Sequence, residues 1–185
     1  KLGPAMLTLS GANTFTGVTW VSEGVLRAAN PNTFPAAGAN LWVQGSGTFE
    51  IDGVALDGAQ FRPLSSLTLA GGLQGDAALA GRGNLSYGGT VTLLGPARVG
   101  AAGASDTLTL SGQIVGLSDP VGQTDPTLAK VGAGMVTLAG SNTYAGGTTI
   151  EAGTLRLSNG ATLPNLGAVS LTGTGILDLN SISQP

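Results

Sequence analysis

Gly134-Met135-Val136-Thr137-Leu138-Ala139-Gly140-Ser141-Asn142-Thr143-Tyr144-Ala145-Gly146-Gly147-Thr148-Thr149-Ile150-Glu151-Ala152-Gly153-Thr154-Leu155 reads as short strands joined by tight bends. Val136 and Leu138 alternate with Thr137, the period-2 pattern of a strand with one buried face. Gly140 then permits a bend that a Cβ would resist. Asn142-Thr143 sits at the next bend, before an aromatic residue, and Thr148 to Glu151 and Thr154 to Leu157 follow as further strands. The same stretch stands near the start of the chain. Residue n laid over residue n + 129 gives thirteen identities in the 27 positions from Lys1 to Arg27, with Phe15 over Tyr144 and Val21 over Ile150. Beyond Arg27 the match continues through Phe34-Pro35 and Gly38-Ala39, then resumes after a one-residue slip at Gly45 and Gly47 over Gly173 and Gly175. A unit of about fifty residues is present twice, at 1–52 and 130–180, with degenerate coils over 53–129.

A shorter motif, a Thr between aliphatics and then Gly, recurs as Leu7 to Gly11, Leu67 to Gly71, Val91 to Gly95, Leu108 to Gly112 and Val136 to Gly140. Short strands at 20 to 28 residue intervals can build a sandwich, a propeller or a solenoid, and repetition selects the solenoid. In a coil stack each strand lies over its equivalent about 4.8 Å away, so one inward row of Leu, Val and Ile must recur turn after turn. At about 20 to 25 residues per coil the 185 residues predict seven to nine coils in one continuous unit, 1–185. Leu7, Leu9, Leu138, Ile150 and Leu155 are the expected core positions, and Asn13, Phe15, Asn142 and Tyr144 the expected corners. Neither terminus looks like a polar cap, so the chain reads as part of something longer.

Composition excludes much chemistry. Gly and Pro are 32 and 9 of 185 residues, which disfavours long helices, while 42% hydrophobic residues and a mean hydropathy of +0.30 disfavour disorder. A net charge of -3 with seven scattered cations offers no stripe for nucleic acid. Without His or Cys there is no Ser-His-Asp or Cys-His constellation, no ordinary zinc, iron-sulfur or haem site and no disulfide. No cofactor is expected. No apolar run approaches the length of a membrane span, and the start at Lys1-Leu2-Gly3-Pro4 lacks a signal-peptide core.

The stretch Gly134 to Leu155 closely resembles the autotransporter-associated β-strand repeat of bacterial type V secreted proteins, and Leu7 to Leu26 is a degenerate match to it. The resemblance implies a right-handed parallel β-helix passenger, exported through a C-terminal outer-membrane β-barrel that is not in this sequence and displayed at or released from the cell surface. It also implies that these repeats form stem and assist export and folding, with no catalytic role. Solenoid geometry agrees with this, because each coil docks on the last through local contacts and can fold as it emerges from a pore.

Carboxylates are the remaining catalytic candidates. Glu50 and Asp52 share a strand face and would suit polysaccharide cleavage, but their counterparts Asp178 and Asn180 point to a solvated outer face. Asp119 and Asp125 flank a loop that offers a Ca²⁺ site, although too few ligands alternate and a plain turn is preferred. Trp20 and Trp42 face Thr149 and Ser170 in the overlay, while Val21 and Val43 face Ile150 and Leu171. Alternation therefore puts the aliphatics inward and both indoles outward, one coil apart. This is a candidate partner surface for a glycan or a neighbouring fibre, and adhesin or end-to-end fibre assembly is the alternative to a stalk.

Overall fold

The computed structural model describes residues 1–34, 39–53, 59–61, 66–71, 77–117, 125–158, 160–164 and 167–180. They form an all-β parallel solenoid with no helix, in which the strand pairings of the described residues are all parallel. Three walls wind about one core. The first holds the leading halves of Gly17–Ala28 and Ala39–Asp52, then Ser66–Gly71, Val91–Leu93 and Ile114–Gly116. The second holds Met6–Leu9, the trailing halves of the same two long strands, then Leu79–Arg82, Ala97–Ala101, Leu128–Val131, Thr148–Ile150 and Val169–Leu171. The third is a six-stranded sheet from Ala59–Phe61 through Asn84–Tyr87, Thr107–Leu110, Met135–Leu138 and Thr154–Leu157 to Ile176–Asp178.

The strand pattern written in the sequence becomes the core directly. On the third wall Leu85, Leu108, Val136 and Leu155 stack in one inward row, and Tyr87, Leu110, Leu138 and Leu157 in the next; all are buried. On the first wall Leu41, Leu67 and Val91 do the same beside Val43, Leu69 and Leu93. Each such side chain contributes about 1.5–3 kcal/mol by leaving water, so the unbroken spine is the main source of cohesion. Leu7 also lies on an inward row, over Leu26, but it is 46% exposed because it sits on the first described rung.

The third wall marks about six complete turns, slightly fewer than seven to nine. Coil length is not uniform. The inward row of the second wall runs Leu7, Leu26, Phe49, Leu79, Val99, Lys130, Ile150, Leu171, with steps from 19 to 31 residues, because the Phe49–Leu79 and Val99–Lys130 coils carry inserts. Two strands are also longer than period-2 reading suggests. Gly17–Ala28 and Ala39–Asp52 each turn a corner without breaking, and their mutual register slips between Val21 and Glu23.

The two repeat copies do not lie on the same walls. Leu7 belongs to the second wall and its equivalent Val136 to the third, so 129 residues carry the chain through five turns and one wall more. Equivalent corners of the copies therefore face directions about one third of a turn apart.

Candidate functional site: fastenings between coils

Lys130 occupies the inward row of the second wall, between Val99 and Ile150, and is 0% exposed. An ammonium cannot remain there without partners. Its Nζ donates to the carbonyl oxygens of Val131 at 2.9 Å, Gly132 at 2.8 Å and, one coil on, Ala152 at 2.8 Å. Burial pushes its pKa down to about 8. The same cage exists in the first copy, where Lys1 Nζ donates to Gly3 O at 2.5 Å and to Glu23 O at 2.9 Å. Left-handed glycines shape both corners: Gly3 and Gly24 at φ 79° and 63°, Gly132 and Gly153 at φ 77° and 63°. A Cβ on Gly24 would stand 2.6 Å from Gly3 O, and one on Gly153 would stand 2.5 Å from Gly132 O. Only glycine lets consecutive corners approach this closely.

The Asn corners are the second fastening. Asn142 is buried; its Nδ2 donates to Gly140 O at 3.1 Å and to Thr162 O in the next coil at 2.8 Å, while its Oδ1 accepts from Ile114 N in the previous coil at 3.3 Å. Asn13 Nδ2 repeats the pattern toward Gly11 O at 3.0 Å and Thr33 O at 2.9 Å. The neighbouring Tyr144 is buried, with its hydroxyl 2.6 Å from Thr148 Oγ1, and desolvation raises its pKa to about 12. Phe15 packs edge-on against Phe34 with centroids 5.7 Å apart but keeps 38% exposure near the solenoid end.

The third fastening is ionic. Arg27 lies opposite Glu50 across two coils, and Arg156 lies opposite Asp178 at the equivalent place, with Nε–carboxylate distances of 2.5 and 2.8 Å. Asp178 is held below the usual carboxylate range first by the Asn180 N–H and then by Arg156. Between the copies Arg98 makes a bidentate pair with Glu151 at 2.8 and 2.6 Å, reaching across the intervening coil. Asp106 accepts from Gly83 N in the previous coil at 3.0 Å and from Gly103 N at 2.7 Å.

Glu50 and Asp52 are therefore not a solvated face. Glu50 is 6% exposed and is shared by Arg27 and, at 2.8 Å, Arg82, while Asp52 lies 3.5 Å from Arg27. Both Glu50 carboxylate oxygens are engaged by guanidinium groups, so neither is presented as a base toward an incoming molecule. Replacing Glu50 by glutamine is expected to lower stability by about 1–3 kcal/mol, because two arginines lose their counter-ion; chemical denaturation checks it. Asp119 lies outside the described residues and Asp125 is exposed. The indoles of Trp20 and Trp42 stand side by side on the outside of the first wall, with centroids 4.8 Å apart and planes 45° to each other.

The lysine cages and arginine rungs escape a sequence reading that treats charge as surface. The available signal is Lys1 and Lys130 in register in the two copies, each with a glycine two residues on.

The passenger-associated-transport-repeat family matches residues 1–28 and 128–157, about a third of the chain. These are the two segments that hold the lysine cages and the Asn corners. The chain is also 33% identical over 196 aligned residues to an adhesin, the BmaC autotransporter of Brucella suis biovar 1. That alignment covers 97% of this chain and 5% of the adhesin, so the chain spans about one twentieth of its relative's length. No solved structure matches. This chain thus carries two copies of the autotransporter passenger repeat, closed by equivalent contacts, on coils that align over nearly their whole length with a segment of an autotransporter adhesin.

Proposed function

We propose that the chain is a non-enzymatic stalk segment of such a passenger, extending the polypeptide away from the cell and helping its export by folding coil upon coil. Carrying this repeat puts it outside the cell or on the cell surface. The single observation that carries the stalk reading is that both copies close on the following coil with equivalent lysine, asparagine and arginine contacts, Lys130 to Ala152, Asn142 to Thr162 and Arg156 to Asp178 in the second. These links run between neighbouring coils, so a coil is fastened as soon as the next one arrives. Stability then accumulates locally, which suits a chain delivered from one end. The whole of 1–185 acts as one unit, with copies 1–52 and 130–180 flanking the degenerate coils. Its partner in export is a C-terminal outer-membrane β-barrel in the same precursor.

The test is export itself. The chain is fused between an N-terminal epitope and an autotransporter barrel, and surface epitope is quantified on intact cells. The Asn142→Leu variant, which loses links to two neighbouring coils, is expected to reduce surface display severalfold while total synthesis is unchanged. Display equal to wild type from a variant shown to be destabilised in vitro would contradict the proposal.

A further inference from the structure

The outside of the solenoid is chemically divided. The described ion pairs, Arg27 and Arg82 with Glu50, Arg27 with Asp52, Arg98 with Glu151 and Arg156 with Asp178, stand on the second and third walls or the corners beside them. The strands of the first wall, from 17–22 through 39–45, 66–71 and 91–93 to 114–116, contain no charged residue. Their central outward row reads Trp20, Trp42, Thr68, Thr92 in consecutive rungs, with Trp20 exposed, Trp42 half-buried and Thr68 buried. Hydrogen-bonded polar side chains flank the row on both sides, Asn40 with Ser66 at 2.8 Å and Gln44 with Ser22 at 3.1 Å.

The repeat supplies an internal control for the indoles. Thr149 and Ser170 occupy the equivalent places in the second copy, pair with each other in the same ladder and leave the fold intact. Coil formation therefore does not require tryptophan at either position. Trp20 is 44% exposed, so a large apolar ring is presented to water beside a half-buried second one. An amphipathic ring pair beside amides and hydroxyls, with no fixed charge, is complementary to a ligand with apolar C–H faces, many hydroxyls and no charge.

We propose that the first wall binds a neutral polysaccharide, with a sugar ring stacked on the Trp20–Trp42 pair and its hydroxyls turned to the half-buried amides and hydroxyls of Asn40, Ser66, Gln44 and Ser22. The described strands of the wall carry no cation, which selects against acidic glycans. This goes beyond the stalk reading, since a stalk needs no ligand, and either can fail alone.

Trp20 and Trp42 are the only tryptophans in the chain, so tryptophan fluorescence, excited beyond the tyrosine absorption band, reports on this site. The probes are cellohexaose, mannohexaose and maltohexaose, with a heparin oligosaccharide as the acidic comparison. At least one neutral probe is expected to shift the emission saturably while heparin does not. The Trp20→Thr, Trp42→Ser double variant carries the residues of the second copy, so it is expected to keep its circular dichroism and melting temperature. By calorimetry it is expected to bind the active probe about tenfold more weakly or not at all. No response to any neutral probe, a response to heparin alone, or unchanged affinity in the double variant overturns the proposal. Concentration-dependent association in the ultracentrifuge that the double variant abolishes, with no sugar response, overturns it in favour of a contact between two copies.

Discussion

Gly153→Ala is expected to destabilise the protein by about 3 kcal/mol or more, whereas Gly160→Ala is expected to cost about 1 kcal/mol. Both glycines are left-handed, at φ 63° and 74°, so alanine meets similar backbone strain at each. They differ in what surrounds them. A Cβ at 153 would stand 2.5 Å from the Gly132 carbonyl oxygen of the preceding coil, while a Cβ at 160 would meet nothing within 4 Å. Gly132 O is also an acceptor for the Lys130 ammonium, so moving it aside would strain the cage as well. Urea denaturation of the two variants separates dihedral strain from coil-to-coil contact. Equal losses at 153 and 160 would mean that the close approach of successive corners does not contribute.

Lys130→Met is expected to cost about 2–4 kcal/mol, although methionine preserves much of the buried hydrocarbon. The loss comes from three carbonyls, of Val131, Gly132 and Ala152, that shed a shared cationic donor at the edge of the core. Lys1→Met is expected to cost less than about 1 kcal/mol, because its cage is at the exposed end of the stack. The lysine also leaves a pH signature. Burial lowers the Lys130 pKa from 10.5 to about 8, so the folded protein disfavours the charged form relative to the unfolded chain. That penalty is fully present below about pH 8 and is relieved as pH rises toward 10.5, where the unfolded chain also loses its proton. Wild-type stability minus that of Lys130→Met should therefore rise across this window and be flat below it. A difference that falls with pH would show that the ammonium is favoured by folding and that its burial has been misjudged.

Strand positions and core rows were legible because they depend on neighbours in sequence. Val136-Thr137-Leu138 declares its inward face by itself, and the 129-residue overlay points to corners at Asn13 and Asn142 and to outward indoles at Trp20 and Trp42. What was not legible depends on how many residues each coil spends. Glu50 meets Arg27 and Arg82 only because coils of particular length bring residues 23 and 32 positions away onto adjacent rungs. A one-residue change in the length of either of these coils would turn the partner to the other face. The same dependence hid the rotation between copies: an exact overlay suggests equivalent walls, but five turns plus one wall separate Leu7 from Val136. The inward lysine was missed for a different reason. Lysine ordinarily marks solvent, and Lys130 is buried only because two successive glycine corners turn their carbonyls toward one point.

The central claim is that neighbouring coils lie in parallel register, residue over residue. The chain has no cysteine, so engineered pairs read the register without interference. On the third wall Ser86, Thr109 and Thr137 stand on three consecutive rungs of one outward row. Adjacent rungs about 4.8 Å apart fit disulfide geometry and positions two rungs apart do not. Under mild oxidation Thr109→Cys with Thr137→Cys should crosslink nearly completely within the monomer, and Ser86→Cys with Thr137→Cys should remain reduced. Efficient crosslinking of the second pair and not the first would contradict the stacked-coil account.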